Sequence, residues 1–314
     1  FRTFDRPYPA ILVYRSNDTT FEGVHIHSSQ GMAIICQRSD TVSVINSAVN
    51  CQNGRYHSTS ADATHFSNCK GKIFINNTEF EGMMDDAINV HSTSLKITEI
   101  VNNSCIRLGY MHEQSVGFET FLPGEKIQFI ISNTLENNEI RTVSNVVKVS
   151  TTELLVVIDG EIPSSISKGD AVENADFYPS VVFSNNVVKN NRARGCLFTT
   201  PKSVIVENNL FDYTSGSAVL LAGDAANWYE SGACENVIIR NNTIVNALTS
   251  TYQFTNAIFS FYPTVSNIWS QSKSYHRNIR IEGNRIDTFD VPILYGISSE
   301  NIEFVNNVIN YNND

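Results

Sequence analysis

The 314-residue sequence predicts an all-β fold in which a parallel β-helix is interrupted by a small antiparallel β-barrel. Three observations predict it. An Asn-centred pattern recurs along the chain, almost no stretch shows the 3.6-residue periodicity or the capping boxes of helices, and one long gap in the recurrence is filled by longer alternating strands.

The recurring pattern is two β-branched or apolar residues at period two, then Asn, then an apolar residue three positions on. Clear copies are Val42-x-Val44-x-Asn46-x-x-Val49, Ile73-x-Ile75-x-Asn77-x-x-Phe80, Val204-x-Val206-x-Asn208-x-x-Phe211, Val237-x-Ile239-x-Asn241-x-x-Ile244 and Ile302-x-Phe304-x-Asn306-x-x-Ile309. Weaker copies centre on Asn185 and Gly283. Each reads as a short strand, a turn and a second short strand. The shortest spacing, 23 residues from Asn185 to Asn208, is about one coil of a β-helix with three stacked sheets. Asn suits a left-handed turn position, and its amide is expected to stack there from coil to coil. A leucine-rich repeat is the rival solenoid, but its Leu spacing is absent.

Between Asn77 and Asn185 the rhythm breaks for 108 residues. Segments such as Leu95 to Ile100, Lys126 to Ile130 and Leu154 to Ile158 read as longer alternating strands separated by Gly, Asp and Asn turns, the pattern of a small barrel. The expected organisation is therefore β-helix over 1–94, inserted barrel over 95–178 and continued β-helix over 179–314.

Composition narrows the function classes. With 41% hydrophobic and 17% charged residues the chain is expected to fold, and its formal charge of −10 without Lys/Arg clusters argues against a nucleic-acid or anionic-membrane partner. No apolar run approaches the roughly 18 residues of a membrane span. The six cysteines are widely spaced and without a Cys-x-x-Cys pair, so buried free thiols are expected rather than a zinc site. Phe1 is not an initiator Met and no leader is visible, so the chain is expected to be part of a longer protein.

The chemistry concentrates at Asp85-Asp86, two adjacent carboxylates among apolar residues. Like charges this close raise each other's pKa, and burial adds to the effect. An isolated Asp pair often only caps a turn. The repeat changes that balance. Aligning the segments that lead into the repeats on a small residue, namely Ala33, Ala63, Ala87, Gly195, Ala218 and Ala257, places Met32, Asp62, Asp86, Arg194, Ser217 and Asn256 in one column. Strands lie about 4.8 Å apart, so Asp62, Asp86 and Arg194 become neighbours, with Asp85 and Arg192 beside them. A surface Asp/Arg ladder would give the same column. Paired carboxylates in a groove are also the equipment of a glycoside hydrolase, one protonating the leaving oxygen and one activating water. His65 and His91 are candidates to tune the cluster, although a satisfied structural histidine is an equally good reading of each. Because adjacent strand residues face opposite sides, the Asp pair is expected at a bend.

Residues 220–234 depart from the repeat as a long loop that carries Asp224, Trp228, Tyr229 and Glu230. An aromatic ring beside carboxylates suits a sugar, although Trp228 packing the loop onto the coil below explains it as well. Tyr252, Phe259, Phe261, Tyr262 and Trp269 are candidates to extend this wall.

The residues Ala61-Asp62-Ala63-Thr64-His65 through Gly71, Met84-Asp85-Asp86-Ala87-Ile88-Asn89-Val90-His91, Asn191-Arg192-Ala193-Arg194-Gly195, and Ala222-Gly223-Asp224 through Trp228-Tyr229-Glu230-Ser231-Gly232 together resemble glycoside hydrolase family 110. These are bacterial exo-acting α-1,3-galactosidases, including enzymes that remove the terminal galactose of the blood group B antigen. The resemblance implies a right-handed helix with barrel insertions, inverting hydrolysis without metal or other cofactor, frequent dimerisation, and a periplasmic, cell-surface or secreted location. It implies a glycan with terminal α-galactose as partner and catalytic roles for Asp85 and Asp86. Asp62 joins them on the water side, and His65, His91, Arg192, Arg194, Asp224, Trp228 and Glu230 are the expected substrate contacts. The spacing of Asp62 to Asp85-Asp86 also echoes pectin-degrading β-helix hydrolases, whose Gly-His-Gly and Arg-Ile-Lys motifs are absent. Two other classes remain open at this point: a non-catalytic carbohydrate-binding solenoid, and a lyase that would want calcium in the same acidic column.

Overall fold

In the computed structural model, which describes residues 6–52, 54–250 and 255–312, the repeats stack as coils whose strands form three parallel sheets. The first sheet runs Ile11–Tyr14, Ile34–Gln37, Thr64–Ser67, Ile88–Thr93, Cys196–Phe198, Val219–Leu221, Phe259–Phe261 and Leu294–Gly296. The second runs from Asn17–Glu22 to Ser299–Val305, and the third from His25–Ile26 to Val308–Tyr311. The described residues contain no α-helix, only two three-residue 3-10 turns. Among the described residues no helix is long and apolar enough to cross a membrane.

Each repeat motif supplies the second and third sheets. Its period-two apolar pair, for example Ile73 and Ile75 or Val204 and Val206, points inward and is fully buried, as is the third apolar residue, Phe80 or Phe211. Phe80, Phe183 and Phe211 stack coil on coil, with ring centroids 5.9 and 6.5 Å apart. The intervening Asn turns the corner in the left-handed region: Asn46, Asn77, Asn185, Asn208, Asn241 and Asn306 all have φ between 49° and 57°, and Gly283 takes the same place at 63°. Only short polar side chains and Gly hold that conformation cheaply.

Of these asparagines, Asn77 Nδ2 donates to Asn46 Oδ1 at 2.7 Å. The continuous amide ladder, however, belongs to the next residue. Asn186 N–H donates to Asn209 Oδ1 at 2.9 Å, Asn209 N–H to Asn242 Oδ1 at 3.0 Å, Asn242 N–H to Asn284 Oδ1 at 2.9 Å, and Asn284 N–H to Asn307 Oδ1 at 2.9 Å. Each Nδ2 of Asn209, Asn242 and Asn284 also donates to a main-chain oxygen of the preceding coils. The main-chain N–H just after the turn is thus met in each case by the side chain at the same place in the next coil.

A closed antiparallel barrel interrupts the stack, in the order Leu95–Asn102, Cys105–Gly109, Glu153–Ile158, Glu136–Lys148, Lys126–Ile131, Ala171–Asn174. It has its own core, including Ile97, Leu108, Phe129 and Val156. It leaves from Ile88–Thr93 and returns at Ser180–Ser184, and the coil register passes across it undisturbed: Ile88 pairs with Thr64 on one side and Cys196 on the other. Arg38 of the helix fixes the barrel. Its buried guanidinium pairs with Glu125 at 2.7 Å and lies 3.9 Å from the Phe177 ring centroid. All six cysteines are free, with Cys36, Cys69, Cys196 and Cys234 buried and Cys51 and Cys105 partly exposed.

The two adjacent asparagines of a repeat should therefore respond differently to substitution. Asn241→Gly is expected to leave the unfolding midpoint nearly unchanged, because Gly tolerates positive φ. Asn242→Ala strands the buried N–H and Nδ2 donors of Asn209 and removes a donor from Val206 O and Asn284 Oδ1, and is expected to lower stability by ~2–3 kcal/mol. Denaturant unfolding of the two variants beside wild type checks this.

Candidate active site

The outward face of the first sheet forms the floor of a pocket of about 370 Å³, within the size range of ligand pockets. Strand alternation puts Ile34, Ile88 and Val219 into the core and Ile35, His65, Asn89, Leu197 and Leu220 onto the floor, with His91 two residues beyond Asn89.

The polar column forms where the sequence places it, with one correction. The main-chain bonds Ala33 N–H to Asp62 O, Ala63 N–H to Asp86 O and Gly195 N–H to Ser217 O tie successive coils in the expected register. Gly195 is small for a reason: a Cβ there would stand 2.6 Å from Ala218 O and from the Phe211 ring. In the next coil the register shifts by one, since Val219 pairs with Phe259, so Ala257 rather than Asn256 stands level with Ser217. The long excursion after Leu221 removes the phase that the other coils share.

Asp85 and Asp86 sit at a bend just before Ile88–Thr93. Asp62, Asp85 and Asp86 each bring one carboxylate oxygen within 4.8 Å of the others. Such a set could hold a cation, but two guanidinium groups already supply positive charge. Arg194 pairs with Asp86 at 2.8 Å and approaches Asp85 at 3.8 Å, and Arg6 pairs with Asp85. Backbone donors add to this: Arg194 N–H bonds Asp86 Oδ1 at 2.9 Å, and Asp86 N–H bonds Asp62 Oδ1 at 3.2 Å.

Burial, then the Asp85 charge, push the Asp62 carboxyl up to about 8, against Arg6 and Arg194. Burial also raises Asp86 well above the usual carboxylate range, opposed by Arg194 and reinforced by Asp85 and Asp62. Asp86 has a direct guanidinium partner and Asp62 has none at that distance, which favours Asp62 as the member that holds a proton.

His65 and His91 both lie in the site. His65 Nδ1 is 2.7 Å from Asp62 Oδ2, His65 Nε2 is 2.9 Å from His91 Nε2, and His91 Nδ1 is 2.8 Å from Ser92 O. Burial holds His65 down to about 4 and lowers His91 as well.

The loop forms the opposite wall. Glu230–Ser231 pairs antiparallel with Thr93 and Ser92, which swings Glu230 over the floor, where it accepts from Asn89 Nδ2 at 3.2 Å and lies 3.7 Å from His91 Nε2. The Asp224 carboxylate is buried and accepts from the main-chain amides of Ala226, Asn227, Trp228 and Tyr229, so it organises the loop from beneath. Trp228 is 48% exposed, and its ring stacks on His112 of the barrel at 4.3 Å between centroids. Tyr229 instead packs inward. Arg192 lines the pocket and donates to Met84 O at 3.1 Å.

Of the residues expected to extend the wall, Tyr262 does line the pocket. Phe259 and Phe261 do not: they occupy inward positions and are fully buried, while Ser260 between them faces out in register with Leu220. Trp269 is 96% exposed and not among the pocket residues, and Tyr252 lies outside the described residues. Sequence reasoning missed Arg6, Asn89 and the barrel residues His112, Gln114, Ser115 and Phe118. Asn89 was legible from alternation, since it stands between inward Ile88 and Val90; it is 4% exposed and its Oδ1 has no hydrogen-bond partner among the described residues. Arg6 and the barrel turn lie outside the repeat and carried no such signal.

A carboxyl whose pKa rises on folding is stabilising only while protonated. Ionising Asp62 therefore costs the folded state progressively as pH climbs from 3.8 towards about 8. Asp62→Asn retains an acceptor for the Asp86 amide, and its melting temperature is expected to exceed that of wild type at pH 8, with the gap narrowing as pH falls towards 4. Thermal melts across that pH range check the sign.

Comparison with known proteins agrees with this layout. Residues 105–172 match the family model for GLAA-B beta-barrel domain II. The whole chain is 54% identical to a protein named Alpha-1,3-galactosidase B from Akkermansia muciniphila, covering 40% of that protein. It is 45% identical to one of the same name from Phocaeicola vulgatus, covering 56% of it. Over 98% of its length it is 34% identical to Alpha-1,3-galactosidase A from Bacteroides fragilis, covering 51% of that protein. The chain thus spans about half the length of the curated relatives it matches. A barrel matched by its own family model, and similarity to these proteins along the whole chain, agree with the resemblance to glycoside hydrolase family 110.

Proposed function

We propose that this chain carries the active site of an exo-acting α-1,3-galactosidase, which removes a terminal α-1,3-linked galactose from a glycan. The observation that carries the reading is the cluster of Asp62, Asp85 and Asp86 beside Arg6 and Arg194 in a walled pocket, in a chain whose relatives are named Alpha-1,3-galactosidase. A pocket closed by a loop on one side and a barrel turn on the other suits a chain end.

In the proposed mechanism Asp85 reacts in its protonated form, giving its proton to the leaving glycosidic oxygen, while Asp86 and Asp62, the latter in its ionised form, position a water and take its proton as it attacks the anomeric carbon. Guanidinium charge from Arg194 keeps Asp86 available as the ionised partner. The galactose ring stacks on Trp228, and its hydroxyls bond to Arg192, Arg194, Glu230, His65, His91 and the unpaired Asn89 Oδ1. Asp224 contributes through the loop it organises. We take the reaction to be inverting and independent of metal, acting where glycans are met, in the periplasm, at the cell surface or outside the cell.

A second reading follows from one distance. Inverting pairs stand about 6.5 to 9.5 Å apart and retaining pairs about 5 to 5.5 Å. Carboxylate oxygens within 4.8 Å of each other favour a retaining enzyme with a covalent intermediate.

Galactose release from an α-1,3-linked galactobiose and from its branched, fucosylated form, measured with the full-length protein in EDTA, tests the proposal. Wild type is expected to release galactose, and Asp85→Asn and Asp86→Asn each to lose about 100-fold or more in kcat. Trp228→Ala is expected to act mainly on KM. NMR of the first-formed galactose anomer separates inversion from retention. Binding without release by folded wild type would replace the enzyme with a carbohydrate-binding solenoid, and dependence on calcium would favour a lyase.

A further inference from the structure

We infer that Asp62, His65 and His91 form a hydrogen-bonded chain that stores one exchangeable proton beside the pocket, the two imidazoles acting as positioning residues that load and unload the Asp62 carboxyl. This deepens the reading of Asp62 as a water-activating carboxylate and rests on it.

Counting protons along the chain fixes the tautomers. Three contacts link the chain: His91 Nδ1 to Ser92 O at 2.8 Å, His91 Nε2 to His65 Nε2 at 2.9 Å, and His65 Nδ1 to Asp62 Oδ2 at 2.7 Å. Each needs a proton between its atoms. The Ser92 carbonyl can only accept, so His91 carries its proton on Nδ1. Its Nε2 is then bare in the neutral ring, and His65 must donate from Nε2. That leaves His65 Nδ1 bare as well, facing a carboxylate oxygen at hydrogen-bond distance. Two neutral imidazoles bring two protons to three contacts. The third proton is therefore held between Asp62 and His65, and Oδ2 is its place, because Oδ1 already accepts from the Asp86 amide at 3.2 Å.

The surroundings decide where it rests. Facing Asp62 are Asp85 and Asp86, with Arg6 and Arg194 opposing them. Glu230 and Asp85 face His65 across the pocket, again with Arg6 opposed, and Glu230 with Asp62 faces His91. Burial outweighs these charges on all three groups, raising the carboxyl and lowering both rings, so the resting proton sits on Asp62 and the imidazoles are neutral.

The same contacts give it a way out. Transfer from Asp62 Oδ2 to His65 Nδ1, with the His65 Nε2 proton passing to His91 Nε2, ionises Asp62 and leaves His91 as imidazolium. No other atom moves and no charge is created overall. The imidazolium Nε2 then faces Glu230 Oε1 at 3.7 Å. Hydrolysis deposits a water proton on the base side at each turnover, and this route returns it towards Glu230, which lines the pocket.

Nitrogen NMR of 15N-histidine-labelled full-length protein tests the chain without relying on activity. The expected spectrum at pH 7 has His91 in the Nδ1–H form and His65 in the Nε2–H form, joined by a nitrogen–nitrogen coupling through the shared hydrogen bond that sets this pair apart from the other histidines, with neither ring protonating as pH is lowered to 5.5. Finding both rings in one tautomer without the coupling, or both titrating near the ordinary histidine value, overturns the inference. In the pH dependence of kcat/KM, His65→Asn places an amide donor against Asp62 and favours its ionised form, so the acidic limb is expected to move to lower pH by about one unit. A uniform scaling of the profile with no movement of the limb in a folded variant also overturns it. If the full-length protein releases no galactose, the galactosidase reading falls while the spectrum still decides the proton chain.

Discussion

The structure depends on one constraint, the in-register parallel pairing of successive coils. Each main-chain bond between coils fixes a vertical neighbour, so every residue type that recurs in the sequence becomes a column in space. The Ile and Val pairs become the core, the second Asn of each turn becomes a ladder of amides, and Asp62, Asp86 and Arg194 become one charged cluster. None of these groups is close in sequence; Asp86 and Arg194 are 108 residues apart. A slip of one residue in a single coil would turn the core pair outward and take the carboxylate out of the cluster.

That constraint also sets what could be read from the sequence. The three-sheet coil, the inserted barrel and the Asp62, Asp86, Arg194 column were legible because repetition supplies its own alignment. Legibility failed wherever a residue left the repeat. The coil after the loop lost its phase, which put Asn256 one place off and turned Phe259 and Phe261 from pocket wall into core. Arg6 and the barrel turn reach the pocket from segments with no repeating neighbour to align them. The ladder was misplaced for a different reason. Asn208-Asn209 and Asn241-Asn242 are adjacent asparagines with opposite duties, one tolerating positive φ and one buried as a partner for backbone donors. Composition cannot separate them, whereas burial does so at once.

Charge burial explains the site's other features. Three carboxylates in a largely buried cluster are expensive unless each is paired or protonated. Arg194 and Arg6 answer for Asp86 and Asp85, and a proton answers for Asp62. The two histidines fit the same logic: burial keeps them neutral, and neutral rings with fixed hydrogen bonds can hold that proton in place. An arrangement built only for stability would have no use for this strain.

The barrel leaves one coil and rejoins it without altering the pairing of Ile88 with its neighbours on either side. Floor and ceiling of the pocket are consequently written in two separately packed units, with His112 and Phe118 in one and the aspartates in the other. Sequence drift in the ceiling can reshape the upper part of the pocket without re-registering a single coil. Such modularity separates the registered floor from a cover that is free to change on its own.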